Sequence, residues 1–421
     1  MLTVVVLPIL LNRWLARAEY SIWVLGFQVV TYIPLLGFGI HQILMRTIAN
    51  GYATESEEMV KKAISSGFFL ICALIGVGTL LVLLSGVLLN YFVHITASEY
   101  GSIQAIWFRV GIAASLALLA LFYFGCFGSI ARFEWENLYK ATVALTLLGT
   151  VFFLHFQGTI SATAVANAYV LAIITGLILL TVIFWLQKSI PSPKRAQVDR
   201  LMLSSFFRGM GGISVWQFSA FLVAGIDIWI IARVDFLAVP GYSLALALMT
   251  FVAGFGIAFL SPCLPRFTQE LSKPNGGQFK IIFAHYQKRL LQILWLIVIT
   301  LALVPNAFWQ YLFQGATPVF LNIFPILLIA TAIRMLTVLY AIAVVSANLQ
   351  HEVIIPPLVE GLTNLVVSII LGMWLGPIGV AIGTLIGAII SFGLYSFYNI
   401  PKCQSTLPIT VSTLLFPWRQ Q

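Results

Sequence analysis

Apolar runs of about twenty residues or more, separated by short polar stretches, recur along the whole chain. A helix needs roughly 17 to 25 predominantly apolar residues to cross the hydrocarbon of a bilayer. Runs near 20–45, 63–93, 104–127, 138–157, 164–187, 209–232, 238–263, 290–312, 318–345, 353–375 and 377–399 predict eleven spans, and the apolar start at 1–12 a partial twelfth. The alternation of polar and apolar residues that marks the strands of a membrane barrel is absent. The pattern therefore predicts an all-α polytopic membrane protein of about 12 transmembrane helices.

The opening run is too short to cross alone, so it is either a partial helix or the end of one that begins earlier. A signal peptide would need a basic start and a small-residue cleavage site before Arg13, and neither is present. Most of the 22 Lys and Arg residues fall between alternate spans: Arg46, Lys61 and Lys62; Arg132 and Lys140; Lys188 to Arg208; Arg266 to Arg289; and Lys402 and Arg419 after the last. Positive charge is retained on the cytoplasmic side. Those loops and the C-terminus are expected there.

Composition supports this class, with 61% hydrophobic residues, 8% charged residues and a mean hydropathy of +1.02. The net charge of +9 does not point to nucleic acid, because the basic residues sit where topology and anionic lipid want them. Cys72, Cys126, Cys263 and Cys403 are scattered and form no disulfide framework. The five histidines lack ligand spacing, so no metal site is expected. No phosphate loop, nucleophile elbow or metalloprotease motif is present. A transporter without an organic cofactor is expected, rather than an enzyme.

The longest basic hydrophilic stretch, 187–200, separates six spans from six. The expected organisation is an N-terminal lobe at 1–187, a linker at 188–208, a C-terminal lobe at 209–400 and a tail at 401–421. Two echoes six spans apart suggest internal duplication. Tyr20-Ser21, Gly37-Phe38-Gly39-Ile40 and Arg46 recur in order as Tyr242-Ser243, Gly254-Phe255-Gly256-Ile257 and Arg266. Glu136-Asn137-Leu138 is echoed by Glu360-Gly361-Leu362. An even number of helices per repeat preserves direction, so the two lobes are expected to be parallel repeats around a central cavity.

Five arginines are not explained by loop topology: Arg13, Arg17, Arg109, Arg233 and Arg334. Arg334 is the only charged residue between Leu290 and His351. A charge at mid-membrane costs about 2.5 to 3.5 kcal/mol on insertion scales and normally faces protein or a wet cavity. Asp227 interrupts another uncharged run, and is expected either to pair with Arg334 or to bind a coupling cation. Glu360 follows Pro356-Pro357 and is expected in the first turn of its helix, where a carboxylate complements the dipole. Arg233, near Asp235, suits an interfacial salt bridge. Trp23, Tyr32, Trp107, Trp216 and Gln217 could stack on a ligand's rings or mark the lipid interface. Pro34, Pro262 and Pro325 could kink or hinge their spans.

EYSIWVLGFQVVTYIPLLGFGIHQILMR, GIDIWIIARVDFLAVPGYSLALAL and VEGLTNLVVSIILGMWLGPIGVAIGTLIG, with Asp227, Gly241-Tyr242, Glu360, Asn364 and the series Gly376, Gly379 and Gly383, resemble helices of bacterial polysaccharide transporters of the O-antigen flippase type. These belong to the multidrug, oligosaccharidyl-lipid and polysaccharide flippase superfamily. The partial first helix departs from that pattern, as does Gly37-Phe38-Gly39 where the family usually has Asp-x-Gly.

The resemblance implies movement of a polyprenyl-pyrophosphate-linked oligosaccharide between leaflets by alternating access, coupled to H⁺ or Na⁺. Arginine suits phosphate oxygens because its planar fork donates in pairs and stays protonated. On this reading Arg334 leads as the pyrophosphate residue, followed by Arg46, Arg109 and Arg13. Asp227 serves coupling or an ion pair, and Glu360 and Arg233 rank lower. The implied partners are the lipid-linked oligosaccharide, membrane lipid and a polysaccharide polymerase, with the chain itself a monomer. Two other readings stand beside it. A multidrug and toxin antiporter wants internal acids for cationic drugs, and a membrane-embedded glycosyltransferase or polymerase wants a large outer loop.

Overall fold

A computed structural model describes residues 2–37, 39–92, 97–187, 190–260, 263–271, 273, 278–314, 317–347 and 349–420. Phe38, His94, Lys188 and Pro262 lie outside them, as do the side chains of Trp216 and Gln217. Among the described residues ten helices are long and apolar enough to cross a membrane. The chain is a multi-pass, all-helical membrane protein with two compact units.

Helix α1 (Leu2–Trp14) opens the chain. One unit, Trp14–Phe218, holds α2 (Arg17–Phe27), α3 (Val29–Tyr32), α4 (Ile40–Ala53), α5 (Glu57–Phe92), α6 (Ala97–Ser129), α7 (Glu134–Phe156), α8 (Ala162–Leu186) and most of α9 (Arg200–Ala224). Its core joins Ile40, Leu44 and Ile48 of α4 to Ile64 and Ile71 of α5, Phe122 and Phe127 of α6, Leu180 and Phe184 of α8, and Phe206 of α9. The span expected at 20–45 is broken. Pro34 lies in a 3₁₀ turn, Ile33–Gly37, and Gly39, which precedes α4, takes a φ of 71° that suits a residue without Cβ.

The hydrophilic stretch expected to link the lobes is docked on this unit. The buried hydroxyl of Ser65 accepts from the Lys194 N–H at 3.0 Å, and that of Ser66 from the Asp199 N–H at 3.0 Å. Asp199 in turn accepts from the N–H groups of Leu201 and Met202 at 2.8 and 3.1 Å, which caps α9. These backbone bonds, with Lys62 at 3.6 Å, hold its carboxyl below the ordinary carboxylate range. The boundary between the units falls inside α9, beyond the expected linker at 188–208.

The other unit joins residues 1–13 to 219–421. It contains α10 (Asp227–Val234), α11 (Val239–Leu260), α12 (Cys263–Leu271), α13 (Phe279–Leu303), α14 (Asn306–Phe313), α15 (Thr317–Ser346), α16 (Ile355–Leu375), α17 (Pro377–Leu394), a π-helical turn (Tyr395–Asn399), α18 (Ile400–Cys403) and α19 (Val411–Leu415). The span expected at 290–312 is displaced. Helix α13 starts at Phe279, so Lys280, Lys288 and Arg289 ride on it, and it stops before Pro305 because the residue ahead of a proline disfavours helical ψ; Val304 has ψ 123°.

The expected tail is also part of this core. Leu407, Ile409 and Leu414 are buried with Leu260, Phe283, Leu339 and Tyr340. Gln287 donates to the carbonyls of Leu336 and Leu414 at 3.1 and 3.0 Å, and Thr410 and Thr413 form a capping box at α19. The tail thus buries apolar side chains in the core of this unit.

Helices α16 and α17 pack closely across glycines. A Cβ at Gly383 would lie 2.3 Å from Ser368 Oγ and 2.7 Å from its backbone N, and one at Gly379 would lie 2.0 Å from the Leu371 carbonyl oxygen. Small residues four apart let membrane helices approach in this way. The turn between the two is made by Gly376 at φ 63° and Pro377.

Candidate functional site

The run read as one span from 209 to 232 is two helices. It breaks at Gly225–Ile226, and Asp227 is the first residue of α10. A carboxylate there meets the positive end of the helix dipole and its free N–H groups. Asp227 is fully buried, so its oxygens need donors, and three neutral ones converge. Asn364 Nδ2 donates to Oδ1 at 3.1 Å. Tyr242 Oη and Thr384 Oγ1 donate to Oδ2 at 3.0 and 2.9 Å.

Two of these donors have alternatives close by. Asn364 Nδ2 is 3.2 Å from the Leu222 carbonyl, at the end of α9, and Thr384 Oγ1 is 3.2 Å from the Val380 carbonyl. Ser368 Oγ lies 3.2 Å from Asn364 Oδ1 and 3.1 Å from the Val380 carbonyl. The close approach of α16 and α17 across Gly383 and Gly387 brings Asn364, Ser368 and Thr384 together. The result is a buried nest of carboxylate, amide, hydroxyl and carbonyl oxygens at a helix break, an arrangement suited to a proton or a small hard cation.

Arg334 does not pair with Asp227, as one reading of the sequence expected. Its Nε donates to Glu360 Oε1 at 2.5 Å. Glu360 lies on the same face of α16 as Asn364 and Ser368, spaced four apart, and Asp227 remains within electrostatic reach of Arg334. Burial is incomplete: the side chain of Arg334 keeps 26% exposure and that of Glu360 keeps 11%. Arg334 Nη2 is buried and has no hydrogen-bond partner among the described residues. The first-turn reading of Glu360 is also corrected. Helix α16 starts at Ile355, which puts Glu360 beyond the first turn, where the dipole acts weakly.

The other sequence-selected arginines lie elsewhere. Arg13 Nη2 donates to the Tyr311 carbonyl at 2.7 Å, and its guanidinium sits 4.8 Å from the centre of the Tyr311 ring. With Asn12 donating to the Phe313 carbonyl at 2.8 Å, these contacts fasten α1 to α14. Arg46 is exposed in the middle of α4 rather than at a helix end, Arg109 is exposed on α6, and Arg233 is exposed at the end of α10. Asp235 accepts from the Leu237 N–H at 3.1 Å and caps a 3₁₀ turn. Trp23 and Trp107 are buried in packing, the latter donating to the Val82 carbonyl at 3.2 Å.

Thr384 and Ser368 were missed by the sequence reading. A search for polar residues four apart inside apolar spans would have found the ladder Glu360, Asn364 and Ser368, since such groups are costly in a membrane and tend to carry function.

No family model and no curated protein matches the sequence. Solved structures do match. A multidrug resistance MATE family transporter of the MOP superfamily, in an inward-facing conformation, superposes with a TM-score of 0.80 at 13% identity, over 96% of this chain and 94% of that one. The fold is that of MOP-superfamily transporters. The lipid II flippase MurJ, in an inward closed conformation, matches with a TM-score of 0.65 at 14% identity over 96% and 91% of the two chains. A MOP-superfamily transporter from Pyrococcus furiosus, described as having a binding pocket of reverse polarity, matches at 0.64 and 15% identity over 96% and 93%.

Proposed function

We propose that the protein is a cation-coupled flippase for a lipid-linked anion, carrying a polyprenyl-pyrophosphate-linked oligosaccharide from the cytoplasmic to the outer leaflet of a bacterial inner membrane for surface polysaccharide synthesis. The observation that carries this reading is Arg334: a guanidinium deep in a span, held by one carboxylate through Nε, with Nη2 buried and unsatisfied among the described residues. A planar fork with a vacant donor can take phosphate oxygens. Asp227, at the break between α9 and α10, is the coupling residue for H⁺ or Na⁺, and its neutral donors and nearby carbonyls are the shell that such an ion would use. The fold neighbours include a lipid II flippase, which fits this substrate class.

Export of the lipid-linked sugar in a reconstituted or whole-cell flipping assay tests the assignment. Arg334→Ala is expected to abolish export while the protein remains folded and inserted. Arg334→Lys is expected to recover part of it, because a point charge persists without the fork. Full export by the alanine variant would overturn the assignment.

A second reading, a multidrug and toxin antiporter, is favoured by one observation. Asp227 and Glu360 set two carboxylates against one guanidinium in the same polar cluster, which would suit a cationic substrate. Extrusion of an organic cation such as ethidium that is lost in Glu360→Gln, with no transport of lipid-linked sugar, would establish that reading instead.

A further inference from the structure

We infer that Glu360 is a stand-in anion: its carboxylate occupies the part of Arg334 that a phosphate-type ligand takes, and binding proceeds by exchange of one for the other. The inference rests on the reading of Arg334 as an anion site. Its basis is the difference between the two carboxylates of this unit. Asp227 is fully enclosed and answered by three neutral donors. For Glu360 the described hydrogen bond is that from Arg334 Nε, with Tyr395 within electrostatic reach, and its side chain keeps 11% exposure. A carboxylate held through one edge of a guanidinium is replaceable, because an Arg fork offers five N–H donors and phosphate can engage two at once.

The surroundings favour exchange over a locked pair. Arg334 Nη2 is buried without a partner among the described residues, so the fork is only part-used. Leaving a charged donor unsatisfied in a low-dielectric site is costly, and a ligand that bonds both Nε and Nη2 removes that cost. On the α16 side, Gly387 of α17 lies close to the Glu360 backbone, where a Cβ would sit 3.1 Å from the Glu360 carbonyl oxygen. Asn364 and Ser368, further along the same face, bond one another and Asp227.

The stand-in role predicts a sign that a purely structural pair does not. With purified protein in detergent and inorganic pyrophosphate as the probe, Glu360→Gln is expected to bind at least ~10-fold more tightly than the wild type, since a neutral amide competes less well for the guanidinium. Arg334→Gln is expected to lose binding, and the double variant to stay without it. Thermal unfolding of each variant, compared with the wild type, establishes that the comparison is between folded proteins.

If Glu360→Gln binds pyrophosphate equally or more weakly while wild-type binding still depends on Arg334, the stand-in role is overturned and the anion site survives. If pyrophosphate binds none of the proteins, or binds all of them alike, both the stand-in role and the anion site fall. Should Glu360→Gln misfold, Glu360→Ala with the same probe carries the same expectation and the same refutation.

Discussion

Replacing Asp227 separates a structural carboxylate from a coupling one, and the geometry sets the sizes. In Asp227→Asn the new amide faces either Asn364 or the two hydroxyls. It fits the second way, because Thr384 can turn its proton to the Val380 carbonyl, already 3.2 Å away, and then accept. About one hydrogen bond is lost, about 0.5–1.5 kcal/mol, and a buried charge is removed, which offsets part of it. In Asp227→Ala the outcome differs. Asn364 retains the Leu222 carbonyl at 3.2 Å, Thr384 retains Val380, and the fully buried Tyr242 hydroxyl loses the carboxylate and keeps the Thr384 hydroxyl beside it. The three bonds to the carboxylate are lost with it, at about 0.5–1.5 kcal/mol each before the alternatives are taken up, and the void left by the carboxylate adds to that. Unfolding by SDS titration in mixed micelles should therefore rank wild type, then Asn, then Ala. The same titration with Na⁺ or with falling pH reads coupling, because an ion that binds only the folded state stabilises it by about 2.7 kcal/mol at a hundredfold excess over its Kd. The wild type should show such an increment with one of the two ions, and the Asn variant should not. An Asn variant as unstable as the Ala variant, or one that keeps the full increment, would refute this account of the site.

Gly383→Leu should destabilise by at least about 1–3 kcal/mol, because even its Cβ would sit 2.3 Å from Ser368 Oγ, whereas Gly393→Leu, where a Cβ meets nothing within 4 Å, should unfold as the wild type does. Deleting residues 404–421 removes the buried Leu407, Ile409 and Leu414, at about 1.5–3 kcal/mol each, and takes one of the two carbonyl acceptors of Gln287; loss of folded protein by fluorescence-detected size exclusion is the expected readout. Asp199 has its pKa lowered in the folded state, so its contribution is present above the unfolded value of about 3.9 and is lost as pH falls through the lower folded value. Asp199→Asn, still a competent cap, should remove that part of the acid sensitivity in an unfolding titration run from neutral to acid pH.

Ten spans were legible because length and hydropathy alone mark them. The errors fell where local chemistry overrides hydropathy. Lys280, Lys288 and Arg289 look like a loop on a hydropathy scale, yet long cationic side chains can ride a helix and reach outward from its surface, so α13 starts earlier than the apolar run. The break before Asp227 was invisible because Gly225 and Ile226 are ordinary membrane-helix residues. The packing of the tail could not be read, because its burial depends on Gln287, Phe267 and Phe283, far away in sequence. At the site, Arg334, Asp227, Glu360 and Asn364 could each be picked out by the cost of polarity in a span. Their pairing could not, since Arg334 lies 26 residues from Glu360 and which acid it meets is decided by how α15 packs beside α16 and α17.

The joint at Gly225–Ile226 also governs how this chain should be labelled for distance measurements. Spin labels or fluorophores placed on α9 and on α10 belong to separate rods, so a change recorded from one cannot be extrapolated along the other. A label pair flanking residues 225 and 226 would instead report directly on bending at the very point where the buried acid is anchored.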